Sequence, residues 1–406
     1  MRRLVTTAVR RIIDVGKKPV VAVAMSGGID SAVSALLLKQ EGYQCIGVFM
    51  KNWDPLDEAE ARTCTTDRDR NDMHEVCRYL DMPTTEVEFI KEYWHDVFVP
   101  FLDAYKTGAE TPNPDVLCNR AIKFHHFRRH ALETLQADIM ATGHYARLEA
   151  GTGVGAAPSA PSLLRALDPV KDQSYFLSMT PGSSLRDVLF PVGALTKMQV
   201  RELAAQHLSG LGVLAKPESM GLCFVGKRDM ASFLGGYLTL TPGRFVDVDT
   251  GLPVGEHRGK ELFTVGQGAR IGGCSDRYFV TFRRWGGEGG SREPGDVFVV
   301  KGALHPLLFS LSCTLRSRDV SWVAGQAPTQ YLASPDSAPH TRRPLLFKAR
   351  YIQQLESCTA TVAPDADGDG DYTVTLHFDA PHRAITAGQV LALYDGQVCL
   401  GGGVIR

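Results

Sequence analysis

The sequence predicts an α/β domain with a parallel sheet, followed by a small central β-rich domain and a C-terminal β-barrel. Short apolar runs alternate with longer helical patterns from Val20 to about Ile139. This alternation is typical of a parallel sheet that is covered by helices on both faces. After about Gly226 the chain changes to short β-like runs separated by Gly and Pro, which indicates all-β structure.

The individual elements follow from the same patterns. In the first part, PVVAVAM, CIGVFM, TTEVEFI and ADIMATG are predicted strands, while SAVSALLLKQEGY, the stretch around Met73 to Leu80 and Thr196 to His207 are predicted helices. In the last part, LLFKARY, CTATVAP, YTVTLHF and VLALYDG are predicted strands of a small barrel or sandwich. The predicted domains span residues 19–225, 226–303 and 304–406.

Composition excludes some classes of function. A chain of 406 residues is long enough for two or three globular domains. Its net charge of −1 provides no overall electrostatic attraction for nucleic acid. No apolar run approaches the roughly 18 residues that cross a bilayer, so no membrane role is expected. One local basic patch, interleaved with aromatic residues, can be interpreted as an RNA contact or as a solvated helix face. It consists of Arg120, Lys123, Arg128 and Arg129.

The N-terminal segment and the cysteines indicate the compartment. Residues 1–18 carry six Arg or Lys against one Asp, which favours an organelle-targeting leader over a short basic cap. Nine cysteines, an odd number with no C-x-x-C pair, indicate a reducing compartment and no metal site built on that spacing. A mitochondrial location is therefore predicted, with the cytoplasm as the alternative.

A phosphate-binding loop is predicted where the first strand meets the first helix. Ser26 to Ser31 reads SGGIDS, and at such a position the helix dipole and the backbone N–H groups favour an anion. Asp30 could hold Mg²⁺ against the phosphates. The loop lacks the Gly-Lys-Ser/Thr ending of a Walker A motif, so transfer of the γ-phosphate is not expected.

SGGxDS after the first strand resembles the PP-loop ATP pyrophosphatases, which release pyrophosphate and leave AMP on a substrate oxygen. The alternative is a purely structural turn. The residues predicted to contact the nucleotide follow two neighbouring strands and form the loop: Ala24, Met25, Ser26, Gly27, Gly28, Ile29, Asp30, Ser31, Met50 and Gly143.

Two cysteines stand apart from the others. Cys118 follows the turn Thr111-Pro112-Asn113-Pro114-Asp115, whose prolines restrict the backbone. We therefore expect Asp115 and Cys118 at the mouth of the site and not in a core. Cys223 precedes Lys227 and Arg228, and nearby cations favour a thiolate. For four other cysteines we expect buried structural thiols: Cys45, Cys77, Cys313 and Cys358.

Several longer strings make the resemblance specific. VAVAMSGGIDSAVSALLL, TPNPDVLCNRAIKF, ATGHYAR, KDQSYFLS, ESMGLCFVGKR and VCLGGGVI are similar to the tRNA-specific 2-thiouridylase family in the same order over nearly the whole chain. KNWDPLDE and ESMG resemble the mitochondrial branch. One departure lies in FTVGQGARIGG, where Gly268 replaces an Arg that is usual in the family.

The resemblance implies a sulfur relay on an adenylated uridine of tRNA. Cys223 would hold sulfur as a persulfide, and Cys118 would release it and close a transient disulfide. Asp115 is the candidate general acid or base. The segment Asn113, Pro114 and Asp115 would surround the wobble uridine, which must leave its stack.

The resemblance also implies the partners. The further tRNA-contact residues are His144, Lys171, Asp172, Gln173, Arg350, Tyr351 and Gln389. ATP and Mg²⁺ are the expected cofactors, tRNAs of the Lys, Glu and Gln type the expected substrates, and a persulfide-bearing protein the expected sulfur donor. A monomer is expected.

Two other functions are compatible with the loop alone. Another PP-loop ligase, such as an NAD, GMP or argininosuccinate synthetase, would leave Cys118 and Cys223 without a task. A non-catalytic nucleotide-sensing RNA-binding protein would bind ATP without releasing pyrophosphate. An iron–sulfur cluster on Cys118, Cys223 and a third thiol also remains an alternative.

Overall fold

The computed structural model describes residues 18–53, 65–107, 110–150, 160–216, 229–282, 295–365 and 371–406. The predicted leader, apart from Lys18, lies outside these residues. Cys64 and Cys223 lie outside them as well. Within the described ranges, no helix is both long enough and apolar enough to cross a membrane.

The first domain is built on a parallel sheet, as predicted. Its first strands are β1 Val20–Ala24, β2 Gln44–Lys51, β3 Thr84–Glu88, β4 Ile139–Ala141, β5 Ala146–Glu149, β6 Ser162–Arg165 and β7 Val188–Leu189. The sheet has the order β3-β2-β1-β4-β7, and all its neighbours pair in parallel. Because β1 is central, its side chains are buried on both faces, and this explains the continuous apolar run VVAVA.

Helices cover both faces of this sheet. They are α1 Ile29–Gln40, α2 Thr65–Tyr79, α3 Ile90–Tyr93, α4 Val99–Thr107, α5 Pro114–Leu117, α6 Ser174–Leu177 and α7 Lys197–His207. A further helix, α8 Met230–Gly235, lies in the central domain. Segments with wider π-type turns continue some of them, at Trp94–Phe98, Cys118–Phe127 and His130–Thr134. Single 3₁₀ turns occur at Gly182–Leu185, Gly212–Ala215, Lys260–Leu262, Pro306–Leu308, Thr329–Tyr331 and Pro339–Thr341.

The second half of the chain is all-β apart from α8 and these turns. The central strands are β8 Gly243–Asp247, β9 Pro253–His257, β10 Tyr278–Phe282 and β11 Val297–Lys301, in the order β10-β11-β8-β9. The last strands are β12 Phe309–Trp322, β13 Leu332–Ala333, β14 Leu345–Lys348, β15 Glu356–Pro364, β16 Tyr372–Arg383, β17 Val390–Asp395 and β18 Val398–Ile405. β12 pairs with both β16 and β18, and this closes the predicted C-terminal barrel.

The barrel sheet extends into the first domain. The hairpin β5–β6 belongs by position to the first domain, yet β6 pairs with the start of β18 at Cys399 and Leu163. Side-chain alternation alone does not reveal which sheet a short hairpin joins. The two large domains are therefore joined by main-chain hydrogen bonds as well as by side-chain packing.

A buried carboxylate stabilises this junction. Asp172 is 1% exposed. Its oxygens accept hydrogen bonds from Ser174 Oγ at 2.8 Å, from Arg165 Nε at 2.8 Å and from the main-chain N–H of Ala166 at 3.1 Å. Lys348 of β14 lies 3.9 Å from the same carboxylate. Burial of this charge is tolerated because cations and N–H donors surround it.

The junction can be tested by removing its charge. We expect Asp172→Asn to lower the free energy of unfolding by about 3 kcal/mol, because loss of one partner leaves buried cations uncompensated. Urea denaturation followed by circular dichroism measures this change. Asp103→Asn removes a carboxylate from an exposed pair with Lys106 and should leave the midpoint unchanged. Equal midpoints for the two variants would contradict a stabilising role of Asp172.

Candidate functional site

The predicted phosphate loop connects β1 to α1 at the carboxyl edge of the parallel sheet. Ser31 Oγ accepts a hydrogen bond from the N–H of Ser26 at 3.2 Å and donates one to the carbonyl of Gly28 at 2.9 Å. Gly28 caps α1 without a side-chain hydrogen bond, so the first N–H groups of this helix are not occupied by a cap. An uncapped helix N-terminus inside a closed turn favours an anion.

Glycine is required in this loop because backbones approach each other closely. Gly27 has φ of +69°, and a Cβ there would lie 2.2 Å from the carbonyl oxygen of Asp69. A Cβ on Gly143 would lie 2.8 Å from the backbone nitrogen of Ser31. The end of β4 is thereby packed directly against the start of α1. Ala24 and Met25 lead into the loop, and Met50 is the penultimate residue of the adjacent strand, so the predicted nucleotide residues meet at one edge.

The acidic residue of the loop has two partners that the sequence did not indicate. Lys197 Nζ lies 2.6 Å from Asp30 Oδ1, and the hydroxyl of Tyr145 donates to the same oxygen at 2.7 Å. Lys216 Nζ donates to the carbonyl of Gly27 at 2.9 Å. Nothing in the spacing of these residues relates them to the loop, because they come from segments far along the chain.

Asp30 is the carboxylate of the loop that could hold magnesium. Among the described residues, Lys197 and Tyr145 both bind Oδ1 of the Asp30 carboxylate, which would leave Oδ2 for a metal that is also bound by phosphate oxygens. The described residues contain no group of three or more His, Cys, Asp or Glu side chains that could hold an ion by itself. Mg²⁺ fits such a site, since it usually binds one or two carboxylates together with phosphates.

The turn before Cys118 is held by the C-terminal barrel. The N–H of Thr111 donates to the carbonyl of Ala387 at 2.9 Å, and Gln389 Nε2 donates to the carbonyl of Thr111 at 2.8 Å. A Cβ on Gly388 would lie 2.6 Å from the nitrogen of Thr111. The barrel therefore positions this turn through its backbone.

Asn113 and Pro114 start the helix that carries Asp115 and Cys118. Asn113 Oδ1 accepts from the N–H of Val116 at 3.4 Å, and Pro114 occupies the first helical position. Asn113 Nδ2 lies 3.5 Å from the hydroxyl of Tyr175. The helix continues from Leu117 without a break into the wider-turned segment.

Asp115 and Cys118 differ in their exposure. Asp115 is half-buried, and burial raises the pKa of its carboxyl, while Lys123 acts in the opposite direction. Cys118 is 7% exposed and packs in the main hydrophobic core. The expectation that the turn keeps both residues out of a core is therefore wrong for Cys118. The uninterrupted helix turns its side chain inward, an effect that the prolines do not control.

His144 connects the loop to the Cys118 helix. Its Nδ1 lies 2.7 Å from Thr142 Oγ1 and its Nε2 lies 3.1 Å from Asn119 Oδ1. Burial lowers the pKa of His144 well below its usual value, so the ring is neutral at pH 7. Asn119, next to Cys118 in the chain, also donates to the carbonyl of Phe176 at 3.4 Å.

The remaining predicted tRNA residues form two groups. Gln173 Oε1 accepts from the N–H of Tyr145 at 2.9 Å, and Tyr351 packs on Phe176 with ring centroids 4.6 Å apart. Arg350 is exposed and donates to the carbonyl of Ala384 at 3.4 Å. Lys171, Gln173, Arg350 and Tyr351 are all at least partly exposed, whereas Asp172 and His144 are buried.

The basic patch combines exposed charged side chains with buried aromatic ones. Arg120 and Arg129 are exposed, whereas Phe124 and Phe127 are buried against the core. Arg128 is engaged with the carbonyl of Arg186 at 3.1 Å and with Asp187. The helix thus buries its aromatic face and presents part of its charge to solvent.

The four cysteines predicted to be structural are buried, and this prediction is confirmed. Burial raises the pKa of the thiols of Cys45 to about 11, of Cys77 to about 12 and of Cys313 to about 12. It raises the pKa of Cys358 as well. These thiols are protonated at pH 7 and are therefore poor nucleophiles.

Comparison with protein families divides the chain in the same order as the fold. A model described as the tRNA methyl transferase HUP domain matches residues 19–227. A model described as the tRNA methyl transferase PRC-barrel domain matches residues 231–284, and one described as the aminomethyltransferase beta-barrel domain matches residues 312–405. These matches agree with the predicted α/β domain, central β-rich domain and C-terminal barrel.

Curated relatives match over almost their full length. Mitochondrial tRNA-specific 2-thiouridylase 1 of Gallus gallus is 40% identical, with 95% of this chain and 91% of that protein covered. The Homo sapiens protein of the same name is 40% identical over 95% and 90%. tRNA-specific 2-thiouridylase MnmA of Halalkalibacterium halodurans is 42% identical over 95% and 94%.

Among solved structures, an NMN synthetase from Francisella tularensis aligns with a TM-score of 0.32 and 17% identity over 55% of this chain and 76% of that one, which carries no argument. The curated relatives identify the family, because their sequence identity extends over all three domains. The chain therefore belongs to the tRNA-specific 2-thiouridylase family.

Proposed function

We propose that this protein catalyses the ATP-dependent 2-thiolation of the wobble uridine of tRNA. One observation carries the proposal beyond family membership. Gly143 and His144 are consecutive, and the first packs against Ser31 of the phosphate loop while the second hydrogen-bonds Asn119, the neighbour of Cys118. An adenylating loop and a thiol are therefore joined by two adjacent residues. An adenylating enzyme that uses no sulfur does not require this connection.

The first chemical step is adenylation of the C2 oxygen of uridine. That oxygen attacks the α-phosphorus of ATP, the bond to the β-phosphate breaks, and pyrophosphate leaves. Loop N–H groups at the start of α1 would stabilise the charge that develops on the phosphates. Asp30 would hold Mg²⁺, which neutralises phosphate charge when it is bound.

Sulfur then replaces the activated oxygen. Cys118 Sγ attacks the inner sulfur of the Cys223 persulfide, which forms a Cys118–Cys223 disulfide and releases hydrosulfide. Hydrosulfide adds to C2, and AMP departs with the former uridine oxygen. A thiol reductant restores both cysteines, and a persulfide-bearing donor protein recharges Cys223. Asp115 would transfer the proton at the base as general acid or base.

Binding of tRNA would use the exposed side chains around this centre. Lys171 and Arg350 suit phosphates, and Tyr351, backed by Phe176, suits an unstacked base. Asn113, Pro114 and Gln389 belong to the turn and barrel that would surround the target uridine. Asp172 and His144 would act from within the chain, by positioning Gln173 and Asn119 respectively.

We further propose tRNAs of the Lys, Glu and Gln type as substrates, a monomeric enzyme, and a mitochondrial location with the cytoplasm as the alternative. The basic N-terminal segment and the mitochondrial relatives support the location, although a bacterial relative is of similar identity. Fractionation of cells that express a tagged full-length chain distinguishes the two compartments.

The central test is the product. The protein is incubated with ATP, MgCl₂, a persulfide donor and unmodified tRNA, and the digested tRNA is analysed by mass spectrometry. We expect 2-thiouridine together with one AMP and one pyrophosphate for each uridine converted. Pyrophosphate release without thiolated nucleoside, in the presence of a competent donor, would favour another adenylating ligase.

The two cysteines and the loop should be separable. We expect Cys223→Ser to abolish thiolation while tRNA-dependent release of pyrophosphate remains measurable, because adenylation needs no thiol. Cys274 is exposed and lies in the central domain, so Cys274→Ser serves as the control and should retain thiolation. Loss of both activities in Cys223→Ser would contradict the proposed division of labour.

The role of Asp115 predicts a pH effect. Lys123 lowers the pKa of Asp115 against the upward effect of burial, so Lys123→Met should raise that pKa further. The limb of the kcat profile that reports Asp115 therefore moves to higher pH, whether the residue acts as acid or as base. Saturating tRNA removes the contribution of Lys123 to binding. Lys91→Met, at an exposed position, is the control, and an unchanged limb in Lys123→Met would exclude Asp115 as the titrating group.

A further inference from the structure

Lys197 reaches the phosphate loop from a distant part of the chain. Its side chain is only 11% exposed, and Nζ lies 2.6 Å from Asp30 Oδ1. The ammonium group also lies 5.8 Å from the centre of the Tyr145 ring. A lysine that is this strongly buried needs an anion nearby, and the loop is the region that provides one.

The backbone of Lys197 is held from two sides. Its N–H donates to Asp168 Oδ2 at 2.8 Å. Thr196 and Gln199 form a reciprocal capping box at the start of α7. The main chain is therefore fixed, while the four-carbon side chain spans the distance to the loop. Such a side chain can move its ammonium group between neighbouring anions without a change in the fold.

A cation beside Asp30 offsets the negative charge of the loop. Asp30 is the only charged residue between Ser26 and Ser31, and its carboxylate would repel a triphosphate that binds at the same helix N-terminus. Lys197 neutralises this carboxylate, and Tyr145 shares the same oxygen. A second described lysine at the loop, Lys216, contacts the Gly27 carbonyl, Asp69 and Asp72. Acceptors of the chain therefore already surround its charge.

We propose that Lys197 is a nucleotide-binding residue whose ammonium group contacts the β- or γ-phosphate of ATP. On binding, it exchanges the Asp30 carboxylate for a phosphate oxygen. This inference rests on the proposed function, because it takes ATP as the ligand of the loop. Lys197 then acts on the part of the nucleotide that leaves as pyrophosphate.

The test compares ATP with AMP. Isothermal titration calorimetry in EDTA gives the Kd of each nucleotide for the full chain without tRNA, so that neither the metal nor catalysis contributes. We expect Lys197→Met to weaken ATP binding about thirty-fold, since one charge-assisted hydrogen bond is lost. AMP lacks the outer phosphates, so its Kd should change less than about two-fold. Lys197→Arg should restore most of the ATP affinity.

The same substitution in the Asp30→Asn variant distinguishes phosphate binding by Lys197 from a role of Lys197 in supporting the loop. In Asp30→Asn the partner carboxylate is absent, so a lysine that only holds Asp30 would have no further effect. We expect Lys197→Met to weaken ATP binding in this background as well. Lys39→Met is the matched control, because Lys39 lies at the opposite end of α1 and donates to the carbonyl of Asp81. It should leave both Kd values unchanged.

Three results would overturn the inference. They are equal weakening of ATP and AMP by Lys197→Met, no weakening of either, and no effect of Lys197→Met in the Asp30→Asn background. Its failure is distinguishable from that of the proposed function. If the wild-type chain binds ATP through Lys197 but makes no 2-thiouridine, the proposed function fails and the inference stands. If it makes 2-thiouridine while Lys197→Met binds ATP normally, the reverse holds.

Discussion

The close approach of β4 to the start of α1 is the constraint on which the site depends. Gly143 has no side chain, and any Cβ would meet the backbone of Asp30 and Ser31. Because the two backbones touch, the next residue, His144, is carried into the interior beside Asn119. The phosphate loop and the helix of Cys118 are thereby fixed relative to each other by covalently adjacent residues. A longer connection would leave this distance to side-chain packing.

The C-terminal barrel completes the same site from the other side. Hydrogen bonds from Gln389 and to Ala387 hold the backbone of Thr111, and the hydroxyl of Tyr175 donates to the carbonyl of Val390. The junction between the two domains supports these contacts. In it β6 pairs with β18, and the buried carboxylate of Asp172 binds groups of the first domain and lies near Lys348 of the barrel. The barrel thus holds the turn that leads into the Cys118 helix, in addition to packing against the first domain.

The central domain also contacts this frame. Arg383, at the end of β16, donates to the carbonyls of Gly266 and Ala303, and Thr264 lies next to Thr111. Gly268 stands where the family usually has Arg. It lies opposite Phe279, and a Cβ there would have no atom within 4 Å. A residue with a Cβ therefore meets no steric obstacle at this position.

The sequence by itself determined the elements whose signal is local. The apolar run VVAVA and the SGGIDS loop each depend on neighbours within a few residues, and both form as predicted, the first as a strand and the second as the connection to a helix. The helix of Cys118, however, already starts at Pro114, inside the segment Thr111 to Asp115 that the sequence predicts as a turn. Tertiary structure decided what depends on distant partners. Lys197 meets Asp30 and the hairpin β5–β6 joins the barrel only through folding. Cys118 is buried because its helix continues and packs, which the prolines before it do not control.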